Sequence, residues 1–124
     1  EFIGRFKKNR ISLPAISLTT DSSIITSVGN DYSFADIFSR QCESLVKNGD
    51  VVIAISTSGD SKNVLNGIKA SKKNGANIIG LLGNKGGAIK KNADISIIIR
   101  SNSTPRIQEV HRVILHIICE LVEK

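Results

Sequence analysis

The sequence predicts an α/β fold, a three-layer sandwich in which a parallel β-sheet is flanked by helices. Strand-like and helix-like segments alternate along the chain, which is the pattern that a parallel sheet with crossover helices produces. The segment Val51–Ile55 is apolar at every position, as a central parallel strand buried on both faces should be. With 124 residues, of which 40% are apolar, the chain is expected to form one domain, 1–124, around an aliphatic core.

The first half of the chain is predicted to contain two strands and one helix. Pro14–Thr20, with the sequence PAISLTT, has the length and composition of a short strand. Apolar residues at helical spacing predict a helix over Ser33–Lys47, which the strand Val51–Ile55 follows. The apolar side of that helix consists of Phe34, Ile37, Phe38, Cys42, Leu45 and Val46.

The second half continues the alternation. Ser61–Asn74 is predicted to be a helix with outward lysines and Gly75 as its C-terminal stop. Ile78–Leu82 and Ile95–Ile99 are apolar runs of strand length, and the turn-rich segment 83–94 between them is expected to hold one short helical turn. A long helix over Arg106–Glu123 closes the chain. The inward residues of the helix Ser61–Asn74 are Val64, Leu65, Ile68 and Ala70.

The net charge of +6 comes from lysines scattered along the chain, and only 4% of the residues are aromatic. Because base stacking needs aromatic side chains and phosphate binding needs a concentrated basic surface, this pattern argues against nucleic-acid binding. No apolar run approaches the roughly 20 residues that span a membrane, and the start does not resemble a signal peptide. Cys42 and Cys119 lack metal-ligand spacing, so we expect reduced core thiols in a cytoplasmic protein.

Four hydroxyl residues surround a glycine directly after the strand Val51–Ile55. Ser56, Thr57, Ser58 and Ser61 can donate hydrogen bonds, and Gly59 lets the backbone approach a bound group. The following helix offers unpaired N–H groups and the positive end of its dipole. A helix cap would need one hydroxyl rather than four, so the pattern favours a phosphate site over simple capping. The loop also lies at the carboxyl end of a strand, where ligands bind in such sheets.

The last predicted helix carries a second group of polar residues. Gln108 and His116 are eight positions apart and therefore lie on neighbouring parts of one side. Apolar residues surround His116 in the sequence, which fits either a core histidine bonded to a backbone carbonyl or a functional imidazole. His111 and Arg112 are predicted to be surface or interface residues, and Arg106, Gln108 and Glu109 could serve only the helix start. These residues alone do not identify a function.

Taken together, the motifs resemble the sugar isomerase (SIS) domain family, and within it the bacterial phosphoheptose isomerases, over essentially the whole chain. The matching segments are EFIGRFKKNR, LPAISLTTD, VGNDYSFADIFSRQ, GDVVIAISTSGDSKNV and RIQEVHRVILH. The serine loop marks only the broad superfamily, whereas its combination with the other segments is much more specific. The resemblance implies a flavodoxin-like SIS domain whose N-terminal helices and first strand precede Glu1. The chain also contains no methionine, so we expect further sequence upstream.

The resemblance further implies an aldose–ketose isomerase acting on a sugar phosphate. Members of this subfamily interconvert sedoheptulose 7-phosphate and D-glycero-D-manno-heptose 7-phosphate, an early step toward the heptose of lipopolysaccharide or related surface polysaccharides. Glu1 matches the base that forms the enediolate, and His116 matches its acid/base partner. Gln108 and Asp31 match further active-site positions, and Arg5 is an additional candidate. The residues that match the phosphate-holding loop are Ser56, Thr57, Ser58 and Ser61.

Family members can also bind zinc and form homotetramers whose sites are built between subunits. Glu1, Gln108 and His116 match three zinc ligands, and the fourth, a histidine, would lie four residues before Glu1. We therefore expect the 124 residues alone to be inactive. Pro105 departs from the pattern, because many relatives have an aspartate there, which puts one polar substrate contact in doubt.

Two other classes of protein remain as alternatives. Some SIS domains sense phosphosugars in transcription regulators, and others act as adaptors that bind a replication initiator; neither needs a catalytic pair. The presence of both Glu1 and His116 favours the enzyme, and no helix-turn-helix is visible. A receiver-like signalling domain would instead carry an acidic cluster at the strand ends, where this chain has hydroxyls.

Overall fold

The computed structural model describes residues 1–124 and contains three strands and four α-helices. The strands are β1 (Val51–Ser56), β2 (Asn77–Gly83) and β3 (Ile95–Ile99). The helices are α1 (Ser22–Asp31), α2 (Ser39–Leu45), α3 (Lys62–Lys73) and α4 (Thr104–Val122). Two short 3-10 turns lie at Phe34–Asp36 and Ile89–Lys91.

The three strands form one parallel sheet in the order β1-β2-β3. Val51 pairs with Asn77 at one end of the β1–β2 ladder, and Ser56 pairs with Leu82 at the other. Because the strands are parallel, their carboxyl ends lie at the same edge of the sheet. The serine loop therefore begins at that edge, beside the end of β2.

Helices cover both faces of the sheet. On one face, α3 packs over a core of Ala54, Ile68, Ala76, Ile78, Leu82 and Ile89. On the other face, Ile107 of α4 lies against Gly83, and the His111 ring bonds the carbonyl of Leu82. Successive side chains of a strand point to opposite faces, which is why the Leu82 side chain packs on the α3 side while Gly83 meets α4. This arrangement confirms the predicted three-layer α/β fold.

The predicted strand Pro14–Thr20 is wrong, because residues 11–17 have no regular structure and 18–20 form a turn and bend. A strand needs a hydrogen-bonding partner, and the only nearby sheet edge is that of β1. A mostly apolar groove of about 730 Å³ separates this segment from β1. The outer edge of β1 is consequently unpaired, and Val51 and Ile55 remain 58% and 45% exposed.

The region between this segment and β1 also differs from the prediction. Helix α1 was not predicted; its N-terminus is capped by the Asp21 carboxylate, which accepts the Ile24 N–H at 3.0 Å. The predicted helix Ser33–Lys47 is not continuous, since a 3-10 turn at Phe34–Asp36 precedes α2. Side-chain bonds to Asp36 from Ser33 and Ser39 stabilise that turn instead of a longer helix. Of the predicted apolar side, Ile37 and Cys42 are buried, whereas Phe34 and Leu45 are exposed.

The remaining predicted elements are confirmed to within two residues at each end. Gly75 follows α3 with a φ of +85°, as a C-terminal stop should. The segment 83–94 contains one short helical turn at Ile89–Lys91. Cys42 and Cys119 are buried and unpaired, and burial raises the pKa of the Cys42 thiol. None of the helices combines the length and the hydropathy that crossing a bilayer requires.

Candidate active site

The serine loop forms a compact network of hydroxyl groups at the carboxyl end of β1. Ser56 is 4% exposed, and its Oγ lies 2.9 Å from Ser61 Oγ and 3.4 Å from Ser58 Oγ. Backbone N–H groups of Gly59 and Asp60 donate to the Oγ atoms of Ser56 and Ser58, each at 3.1 Å. These bonds fix the loop before any ligand arrives, so the loop is preorganised.

Ser61 occupies the N-cap position of α3 but does not cap the helix with its side chain. Its hydroxyl bonds Ser56 instead, and the N–H groups of Lys62 and Asn63 have no hydrogen-bond acceptor in the chain. Unpaired N–H groups at a helix start bind anions, and the helix dipole adds to the attraction. The geometry therefore supports the phosphate interpretation of the loop over the capping one.

A second loop supports the serine loop from the end of β2. Gly59 has a φ of +77°, and a Cβ at this position would overlap the backbone of Gly86 and Gly87. The Gly59 carbonyl accepts the Ile89 N–H at 3.0 Å, and the Asp60 carboxylate accepts the Ala88 N–H at 2.7 Å. Neither Asp60 nor this glycine pair is among the residues that the sequence predicts for the site. The adjacency of two glycines is the only sequence signal, and in the structure both have a positive φ.

We expect Gly59→Ala to destabilise the protein and weaken phosphosugar binding. Alanine would have to adopt the positive φ of +77°, which its Cβ disfavours, and its methyl group would push against the Gly86 backbone. Strain of this kind costs on the order of 1–3 kcal/mol. Gly49→Ala is the matched control, since Gly49 also has a positive φ of +89° but open space around its Cβ position. Urea unfolding and calorimetric phosphosugar titration should show the larger loss for Gly59; equal losses would contradict the packing role.

The other predicted site residues lie on or beside α4. His116 is exposed, and its ring stacks on Phe6 with 5.5 Å between ring centroids. Glu1 is exposed, and its carboxylate makes no hydrogen bond or ion pair in the chain. Gln108 is also exposed on the same helix. The segment 1–6 thus contacts the second half of α4 through Phe6.

The prediction for His111 is wrong, because this residue is 3% exposed rather than on the surface. Its Nε2 lies 3.2 Å from the Leu82 carbonyl, and its Nδ1 is buried without a partner. A carbonyl only accepts, so Nε2 carries the proton. Ile107, His111 and Cys119 share the buried face of α4 at spacings of four and eight, and this face excludes His116. Arg112 is exposed, as predicted.

Within one chain, the serine loop and His116 are separate. Ile107 lies against Gly83, next to the Thr57 carbonyl, so the first turns of α4 adjoin the serine loop. His116 is nine positions further along α4, roughly 13 Å at the helical rise. Gln108 lies at the end of α4 that adjoins the serine loop. The side chains of Asp31 and Arg5 are exposed and make no hydrogen bond. The structure therefore brings the hydroxyls of the serine loop together, whereas His116 lies apart from them along α4.

The metal prediction rests on donor chemistry. Glu1, Gln108 and His116 offer a carboxylate oxygen, an amide oxygen and an imidazole nitrogen, and all three side chains are exposed and free of competing hydrogen bonds. Such donors suit zinc. No three His, Cys, Asp or Glu side chains converge on a common point in the chain. The donor types fit zinc, although Gln108 and His116 lie roughly 12 Å apart along α4.

Comparison with known proteins gives a consistent result. The family model described as SIS domain matches residues 1–83. Proteins named phosphoheptose isomerase from a Nitratiruptor species and from Geobacter sulfurreducens are 53% and 52% identical over all 124 residues. The chain spans 66% of the length of each of these curated relatives, just under two thirds.

Solved structures resemble the fold closely. A phosphoheptose isomerase from Francisella tularensis has a TM-score of 0.93 and 36% identity, over 98% of this chain and 65% of that one. The phosphoheptose isomerase structure from Neisseria gonorrhoeae has a TM-score of 0.89 and 39% identity, over 90% of this chain and 62% of that one.

Proposed function

The chain belongs to the SIS domain family, and on this basis we propose that the full-length protein is a phosphoheptose isomerase. It converts sedoheptulose 7-phosphate to D-glycero-D-manno-heptose 7-phosphate through an enediolate. The observation that carries this proposal is the serine loop, in which Ser61 bonds Ser56 and leaves the start of α3 open to an anion. Similarity to phosphoheptose isomerases along the whole chain narrows the phosphorylated ligand to a heptose phosphate.

The loop suits a substrate phosphate that must be bound and released in every turnover. Hydroxyls of Ser56, Ser58 and Ser61 and the free N–H groups at the start of α3 are neutral donors. Such donors hold a phosphate by direction and by the helix dipole, without a buried cation. The phosphate anchors one end of the sugar, so that the carbonyl end reaches the acid/base groups.

Isomerisation needs two proton transfers. Glu1 removes the proton from C1 of the ketose, and the electron pair moves into the C1–C2 bond to give the enediolate. The proton then returns to C2, while His116 moves a proton between the two oxygens so that the carbonyl appears at C1. A carboxylate and an imidazole are the side chains suited to these tasks. Gln108, Asp31 and Arg5 are proposed to contact the sugar hydroxyls.

A zinc ion bound to Glu1, Gln108 and His116 would supply positive charge beside the enediolate oxygens. We also propose a homotetramer in which two subunits share each site, because one chain leaves the serine loop and His116 roughly 13 Å apart along α4. An exposed apolar stripe on α4 supports association; it consists of Val110, Val113, Ile117 and Leu121. The proposed setting is the cytoplasm, in the synthesis of heptose precursors for lipopolysaccharide or related surface polysaccharides.

A coupled isomerisation assay on the full-length protein tests the proposal. We expect turnover of sedoheptulose 7-phosphate, measured with added zinc and after chelation. Sedoheptulose without its phosphate is the matched control and should react far more slowly, because it cannot use the serine loop. Phosphosugar binding without turnover under both metal conditions would contradict the enzyme and indicate a sensor or an adaptor.

A further inference from the structure

The segment that carries Glu1 has no helix or strand, yet it is held at one point by the end of α4. Glu123 accepts the N–H groups of Phe6, Lys7 and Lys8 at 2.7, 2.8 and 3.0 Å. Its side chain is only 2% exposed. Burial opposes ionisation, but the backbone donors and Arg10 outweigh it and lower the pKa of Glu123 to about 2. The carboxylate is therefore fully ionised at neutral pH, inside a nest of backbone donors.

Arg10 extends this contact to the backbone of Glu1. Its Nε lies 3.1 Å from Glu123, while Nη2 donates to the Glu1 carbonyl at 2.9 Å. Nη1 donates to the carbonyls of Phe2 and Ile11 at 2.8 and 2.9 Å. The guanidinium thus joins Glu123 to the backbone at both ends of the segment 1–11, called the N-terminal loop below. A lysine could not reproduce this pattern, because it lacks the planar fork of five N–H groups.

The same contact also reaches His116. Phe6, whose N–H binds Glu123, stacks its ring on the imidazole of His116. The side chains of Glu1 and His116 make no hydrogen bonds of their own in the chain. Arg10 therefore holds the backbone of Glu1, and Phe6, whose N–H Glu123 accepts, holds the His116 ring from one side.

We propose that Arg10 and Glu123 form a positioning clamp that sets Glu1 and His116 for proton transfer. The proposal rests on the proposed isomerase function, and it goes beyond it by naming two residues that touch neither the sugar nor the phosphate. A clamp of this kind acts on the chemical step rather than on phosphate binding, because the serine loop belongs to a separate part of the chain. Misplacing a reacting group by about 1 Å can cost on the order of 100-fold in rate.

The test uses full-length protein with Arg10→Lys and Glu123→Gln, two conservative changes that limit unfolding. We expect kcat to fall at least tenfold in each variant, while KM changes less than about threefold. Glu120→Gln is the matched control; this carboxylate is 49% exposed and pairs only with the Lys7 side chain, at 2.8 Å. It should keep kcat within twofold. Thermal unfolding establishes that every variant is folded at the assay temperature.

Two further measurements distinguish a role in positioning Glu1 and His116 from a purely structural role of the pair Arg10–Glu123. Amide hydrogen exchange at Phe6, Lys7 and Lys8 and the ring-current shift of His116 by NMR should change in both clamp variants but not in Glu120→Gln. If the N-terminal loop exchanged faster while kcat stayed unchanged, the clamp would be wrong and the proposed isomerase function would stand. An inactive wild-type protein would overturn the proposed function and, with it, the catalytic role of the clamp.

Discussion

Replacing Glu1 with Gln in the full-length protein is expected to abolish isomerisation while phosphosugar binding persists. Glutamine keeps the size of the side chain but cannot accept the carbon-bound proton, so the enediolate does not form. Because Glu1 and the serine loop belong to separate parts of the chain, the loop should still bind phosphate. The expected loss is on the order of 10²–10⁴-fold, the usual contribution of a general base.

Binding and turnover have to be measured together to make this result meaningful. Calorimetric titration with sedoheptulose 7-phosphate reports the serine loop, and exchange of the substrate C1 hydrogen with deuterated solvent reports the base. Glu43→Gln is a suitable control, since Glu43 is an exposed carboxylate that pairs with Arg40 at 3.6 Å on α2. Full activity in Glu1→Gln would show that Glu1 is not the base and that another group removes the C1 proton.

The elements that sequence analysis predicted correctly are those with local signals. β1, the serine loop and α3 follow from one apolar run, a glycine among hydroxyls and a stripe of apolar residues at helical spacing. Helix α1 is not predicted because its apolar side is short, with only Ile24, Ile25 and Val28, and its other residues are small or polar. The cap residue Asp21 is its second signal.

Other features depend on residues that are distant in the sequence. Whether Pro14–Thr20 forms a strand depends on a partner edge, which no local pattern describes. The clamp joins Arg10 to Glu123, and nothing in either local sequence connects positions 113 apart. The family resemblance supplied Glu1 and His116 as candidates, but it could not show that one charged pair places both.

The two histidines of α4 show how helix period decides which residue is buried. A separation of five positions turns the helix by about 140°, so His111 and His116 cannot share one narrow face. The apolar sequence neighbours of His116 therefore do not indicate that its side chain is buried. The buried series Ile107, His111 and Cys119 was the better guide, because it follows the helical repeat toward the sheet.

Because of this difference in burial, we expect one replacement by alanine to lower activity and the other to lower stability. His116→Ala should lower kcat by on the order of 10²-fold or more, the usual contribution of a general acid/base. Its exposed side chain contributes little to the core, so the unfolding midpoint should hardly change. A loss of activity below about threefold would count against His116 as the acid/base partner.

His111→Ala should instead lower the free energy of unfolding. It removes the hydrogen bond to the Leu82 carbonyl and leaves a cavity between α4 and β2, which together cost about 2–4 kcal/mol. Denaturant unfolding and kcat distinguish the two cases. Only His116→Ala should lower kcat while leaving the free energy of unfolding unchanged, because only this exposed imidazole can exchange a proton with the substrate. If His111→Ala lowered kcat as much while its stability stayed unchanged, the assignment of the two histidines would have to be reversed.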